Sequence, residues 1–166
     1  MRPVWTSKKI RLGTKLRLYK AIVVPTALYA SETWRTTKAI QRKIDAFQQR
    51  CLRKILGITY RDRVKNEEVM KRTGQGRLQD VVAGRRLQFW GHVVRMEDCR
   101  IPKSALSWFP AGGKRKQGHP RHTWRRTIEQ DLRDAELSLQ EAMEIAKDRP
   151  GWQALVARCV QGHGRI

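Results

Sequence analysis

Thr37-Lys-Ala-Ile-Gln-Arg-Lys-Ile-Asp-Ala-Phe-Gln-Gln-Arg-Cys-Leu-Arg-Lys-Ile-Leu56 decides the fold class. Ile40, Ile44, Phe47, Cys51 and Ile55 recur at helical spacing and form one apolar stripe, while Lys38, Arg42, Gln49 and Arg53 occupy another face. Thr36 or Thr37 can cap the start of this helix and Gly57 its end. Nothing elsewhere in the chain alternates with a period of two. The sequence reads as all-α, with no internal repeat.

Upstream, a helix is expected over about Thr14–Tyr29, with Leu16, Tyr19, Ile22 and Val23 on one face and Lys15, Arg17 and Lys20 around it. Pro25 should kink or divide it, because proline removes a backbone donor and clashes one turn back. Downstream, residues 58–65 form a polar link. A short helix over Asn66–Arg72 follows, with Asn66 as N-cap and Glu67 and Glu68 at its positive end. Gly74 and Gly76 break the chain before a helix over about Leu78–Met96, which sets Leu78, Val82, Phe89, Val93 and Met96 together. Gly84 and Gly91 each cost that helix about 1 kcal/mol relative to alanine, so close packing or ligand approach is the reason to look for. Residues 110–122 are a loop or disordered segment on composition. Helices resume at Thr123–Glu136. Ser138-Leu-Gln-Glu141 makes a capping box ahead of Ala142–Lys147. Asp148 caps a last helix carrying Trp152, Leu155, Val156 and Cys159 along one face.

The chain of 166 residues carries 36 Lys and Arg against 15 Asp and Glu, a formal net charge of +21. Residues 1–126 hold 31 basic and 8 acidic side chains, and residues 127–166 hold 5 and 7. So basic a surface attracts a polyanion, and nucleic acid is the expected partner. Three widely spaced cysteines, Cys51, Cys99 and Cys159, make no disulfide framework and point to a reducing, intracellular setting, nuclear or cytoplasmic. No apolar run is long enough to span a bilayer, so no membrane partner is expected. Met1-Arg-Pro-Val-Trp5 reads like a sequence entered midway.

Metal-dependent phosphoryl chemistry needs clustered carboxylates. The adjacent acids, Glu67-Glu68 and Glu97-Asp98, stand beside helix ends instead, and there is no phosphate-binding glycine loop or nucleophile elbow. No catalytic residue and no cofactor is expected. Cys99, His119, His122 and His92 are of types that zinc accepts, but the chain has no Cys-x-x-Cys pair and His119-x-x-His122 lies in a basic loop, so no metal site is expected either. Two basic constellations suit phosphates better. Lys15, Arg17, Lys20, Arg42 and Arg53 belong to the first helices, and Lys114, Arg115, Lys116, Arg121, Arg125 and Arg126 surround a glycine- and proline-containing loop. A nuclear-localisation patch is the rival reading of Lys114–Lys116. Tyr19, Tyr29, Trp34, Phe47, Phe89 and Trp90 are expected to pack in cores.

Five blocks carry a family resemblance. Residues 14–34, Thr-Lys-Leu-Arg-Leu-Tyr-Lys-Ala-Ile-Val-Val-Pro-Thr-Ala-Leu-Tyr-Ala-Ser-Glu-Thr-Trp, closely resemble the segment after the palm in LINE-type, non-LTR retrotransposon endonuclease–reverse transcriptases (RNA-directed DNA polymerases). Phe47–Gly57 and Arg85–Met96 are similar to the blocks that follow there. Gly118-His-Pro-Arg-His-Thr-Trp124 resembles the family's Gly-Arg-Pro-x-x-x-Trp loop, and Ala146–Trp152 its Ala-x-Asp-Arg-x-x-Trp block. The resemblance implies a thumb-like helical region over residues 1–60 and a helical region over 61–109. A basic flexible loop (110–122) and a C-terminal helical region (123–166) would follow. It implies further that endonuclease, fingers and palm precede Met1, with the palm's aromatic-x-Asp-Asp motif. His119 stands where the family has an arginine, and the family's zinc knuckle is not recognisable. The resulting expectation is a non-catalytic C-terminal fragment that holds RNA, DNA or hybrid template–primer by its backbone, alongside any palm and fingers of a full-length protein. The alternatives are a protein-interaction module built on residues 127–166, or a decayed reading frame.

Overall fold

A computed structural model of the chain describes residues 2–108, 118 and 123–162, and these are helical, with no strand among them. The fold is all-α, as the periodicity requires. Except for Gly118, the expected basic loop lies outside the described residues, with Lys114, Arg115, Lys116, His119, Arg121 and His122. The chain divides into two compact units, residues 1–30 with 38–81 and residues 31–37 with 82–166.

In the first unit α1 (Arg2–Thr6) leads to α2 (Leu12–Leu18), a π-helical turn (Tyr19–Val23) and α3 (Val24–Ala27). Pro25 shows why the expected single helix is divided: without an N–H, and with a ring that clashes against the preceding turn, it cannot continue the α ladder. The wider π turn absorbs the mismatch just before it. Ala30 takes φ 54° after α3, and Tyr29, expected in the core, is 81% exposed. The chain has left the helix at that point, so the ring no longer follows its apolar face.

The quoted stretch forms α4 (Lys38–Leu56), closed by Gly57 at φ 71°, with Ile58 N–H on Arg53 O at 2.9 Å and Gly57 N–H on Lys54 O at 3.4 Å. This is the left-handed glycine cap that the sequence signals. Its buried line is Ile44, Gln48, Leu52 and Ile55, not the expected line through Phe47 and Cys51, which are half-buried. Leu52 and Ile55 pack with Tyr19 and with Val69 of α5 (Asn66–Thr73). The N-cap of α5 is Lys65, and Asn66 is its first residue. Asn66 Oδ1 accepts from the Arg53 guanidinium at 2.8 Å and therefore does not cap.

Gln48 is 2% exposed, a glutamine inside an apolar line. Its amide explains the burial. Nε2 donates to Gly76 O at 2.7 Å, and Oε1 accepts from Leu78 N at 3.1 Å, the first residue of α6 (Leu78–Val94). A buried amide with both ends satisfied costs little, and this one caps an orphan N–H of the next helix.

The second unit contains most of α6, then α7 (Ile101–Ser107), α8 (Trp124–Asp134), α9 (Leu139–Lys147) and α10 (Arg149–Gly162). Sequence periodicity does not reveal α7, whose sole punctuation is Pro102 in its first turn. Leu87, Trp90, Ile128, Leu132, Ala146 and Trp152 are among the residues of its core. Trp152 Nε1 donates to Leu87 O at 3.0 Å. Arg86 and Asp131 form a two-pronged ion pair inside this unit, Nε to Oδ2 at 2.6 Å and an Nη to Oδ1 at 2.8 Å, with Thr36 Oγ1 accepting a third bond at 3.1 Å. Burial pushes the Asp131 carboxyl up, against the pull of Arg86.

The Ser138 capping box forms as expected. Ser138 Oγ accepts from Glu141 N at 3.2 Å, while the Glu141 carboxylate accepts from Ser138 N at 2.9 Å. The Ser138 hydroxyl and then its backbone N–H hold the Glu141 carboxyl below the usual range. A lowered folded value means that the contribution exists above the ordinary glutamate pKa and disappears as pH falls through the folded one. Replacing Ser138 by alanine is therefore expected to move the Glu141 titration upward in an NMR pH series. An unchanged midpoint would show that the box does not hold in solution.

Candidate nucleic-acid interface

Because Ile44, Gln48, Leu52 and Ile55 turn inward, the opposite side of α4 is fixed by elimination. It presents Lys38 and Arg42, then Arg50 and Lys54, two pairs at four-residue spacing on either side of Ala46, with Lys43 beside them, all five cations exposed. Ala39 and Ala46 complete this side. The members of each pair stand about 6 Å apart along the axis, the two pairs are separated by about 12 Å, and the row spans roughly 24 Å, the length of about seven phosphates on one duplex strand. Asp45 is the one carboxylate in α4, and it is half-buried and accepts from Gln79 Nε2. The exposed side is therefore uniformly cationic.

The residues expected from sequence divide sharply. Arg17, Lys20 and Arg42 are exposed. Lys15 is 8% exposed, with Nζ donating to Trp5 O at 2.8 Å. Arg53 is half-buried and its guanidinium bridges Val64 O at 2.7 Å and Asn66 Oδ1 at 2.8 Å, so it braces the α4–α5 connection. Arg125 and Arg126 are exposed in the first turn of α8, in the other unit, where the helix dipole disfavours cations. Arg125 Nε also pairs with Glu129 at 3.2 Å. Lys114, Arg115, Lys116 and Arg121 lie outside the described residues. Lys38, Lys43, Arg50 and Lys54 are the exposed α4 cations that the sequence reading leaves out of its binding set. The signal for Lys38, Arg50 and Lys54 is their spacing from Arg42 in multiples of four residues, legible once the buried line is shifted by one residue.

Charge follows the same division. The first unit holds 19 basic and 5 acidic residues, net +14; the second holds 17 and 10, net +7. Among the described residues, no three His, Cys, Asp or Glu come together in a group able to hold a metal ion. No described helix is long and apolar enough to cross a membrane. Cys51, Cys99 and Cys159 form no disulfide, and burial pushes the thiols of Cys51 and Cys159 up, which makes them poor nucleophiles.

The chain is similar to a transposon-derived protein. That relative, an uncharacterized protein of Caenorhabditis elegans, is 31% identical over 160 residues. The match covers 92% of this chain and 56% of the relative, so the chain spans little more than half of that protein's length. No protein-family description matches the chain, and no solved structure does.

Proposed function

We propose that this chain derives from a retroelement, as the C-terminal thumb and following helical region of a LINE-type reverse transcriptase, and that it binds nucleic acid through the phosphate backbone without reading sequence. The uniformly cationic side of α4 carries this reading, because five exposed cations and no exposed carboxylate form a row at phosphate-scale spacing. The likeness to a transposon-derived protein supports the retroelement origin, and the five sequence blocks support the finer assignment. Arg17 and Lys20, with Arg125, Arg126 and the loop cations Lys114, Arg115, Lys116 and Arg121, are assigned to the same polyanion. The reading gives this chain the holding of a strand or duplex, not the chemistry performed on it.

Affinity for a random-sequence duplex is expected to fall steeply between about 50 and 200 mM salt. Replacing Arg50 and Lys54 together by glutamine should lower the slope of log K against log salt by up to about 2. Arg72 is tied to Glu68 at 2.7 Å, and its replacement by glutamine should leave the slope where it is. Fluorescence anisotropy at several salt concentrations reads both. An affinity indifferent to salt would overturn the proposal.

A further inference from the structure

Lys15 is a buried cation without a countercharge. It is 8% exposed, and among the described residues its acceptor is the Trp5 carbonyl oxygen at 2.8 Å, with no carboxylate paired to it. An ammonium has three protons to donate, and a buried charge is expensive unless it is paired and hydrogen-bonded. A backbone carbonyl supplies a dipole, not a charge. The fold has thus placed a cation where a chain of this composition gains nothing from it alone.

What lies around it gives the reason. Lys15 lines a cavity of about 540 Å³ in the first unit, shared with Lys8 and Lys54, both exposed. No acidic residue is among the described residues that line it. Three lysines therefore border one space with no carboxylate among the described lining residues, and their like charges favour an anion there. Ser7 also lines the cavity, and its Oγ accepts from Lys9 N at 3.2 Å, which leaves its own proton to donate. The other walls include Ile10, Leu12 and Ile55, apolar surfaces that lower the local dielectric and strengthen an ion pair made there. A buried cation, two further lysines, a hydroxyl donor and apolar walls are the elements of an oxyanion site.

We propose that this cavity binds a single phosphate group, with Lys15 as its buried anchor and Lys8, Lys54 and Ser7 at its mouth. The site is distinct in kind from the row on α4: that row follows many phosphates in solvent, whereas this cavity takes one beside a buried cation. Lys54 stands at the meeting point of the two, at the end of the row and on the cavity wall. The phosphate is either the terminal group of a strand or one within its backbone. The proposal does not depend on the nucleic-acid reading, since inorganic phosphate alone should occupy the cavity.

The test is an NMR titration of the full chain in low-chloride buffer, following the backbone amides of Thr6, Ser7, Lys15, Ile55 and Gly57. Inorganic phosphate is expected to shift them saturably. Lys15→Met should abolish the shifts. Because that variant leaves its partner Trp5 carbonyl unmet, the Lys8→Ala/Lys54→Ala variant, altered at exposed positions alone, provides the second measurement. Its phosphate affinity should fall about tenfold or more, the usual weight of a charge-assisted hydrogen bond. Two oligonucleotides of one sequence, with and without a 5′-phosphate, then separate the sources. Shifts from the phosphorylated strand alone assign a terminal phosphate, and equal shifts from both assign a backbone one. Absence of saturable shifts at these amides with phosphate and with both strands overturns the site, as does equal phosphate affinity in the wild type and the Lys8→Ala/Lys54→Ala variant. Phosphate binding in a chain that ignores both oligonucleotides would keep this site and overturn the proposed function.

Discussion

Replacing Asp131 by alanine is expected to destabilise the second unit by about 3–5 kcal/mol. The Arg86 side chain is 3% exposed, and its guanidinium spends two bonds on Asp131 and a third on Thr36. Without the carboxylate the charge stays buried, because arginine cannot discharge its proton in a protein. The loss is dominated by that stranded cation and exceeds any net worth of the pair. It follows that Arg86→Met combined with Asp131→Leu should be far milder than Asp131→Ala alone, since removing both charges also removes the desolvation that each entails. Urea unfolding followed by tryptophan fluorescence measures both variants. A double variant as unstable as the single one would show that the pair itself, and not the orphaned arginine, holds the unit.

The sequence makes the local devices legible and hides those that depend on a partner far along the chain. The Ser138–Glu141 box, the Asp148 cap and the Gly57 terminus form where their residues stand, because each is complete within a few positions. The burial of Gln48 is not readable, since its justification is a carbonyl 28 residues away and an amide 30 residues away. That one glutamine shifts the buried line of α4 and with it the choice of exposed cations. Arg53 is turned inward by Val64 and Asn66, and Lys15 by Trp5. In all three cases a polar residue at a polar-looking position is recruited by a backbone carbonyl that no periodicity announces. The candidate interface is therefore legible as a helix and as an excess of charge, and illegible as a particular set of side chains.

Gly91→Ala is expected to cost about 3 kcal/mol through overpacking and a lost hydrogen bond, a large effect for one added methyl. On propensity alone the change should help, since alanine is worth about 1 kcal/mol over glycine inside a helix. Contact decides otherwise. A β-carbon at Gly91 would overlap Trp152 Nε1 and stand 2.5 Å from Cδ1 and 2.9 Å from Cε2. Trp152 is 1% exposed and has nowhere to withdraw. Its indole N–H reaches Leu87 O, the carbonyl one turn before Gly91, because no side chain stands between them. The glycine is thus required for close approach and not for an unusual backbone angle. Gly13 in α2 provides the contrast, since a β-carbon there meets nothing within 4 Å. Gly13→Ala should therefore stabilise by about 0.5–1 kcal/mol. Combining Gly91→Ala with Trp152→Phe should cost less than the two losses added together, because the smaller ring vacates the space that the methyl needs. Strict additivity in denaturant unfolding would place the damage elsewhere than at this contact.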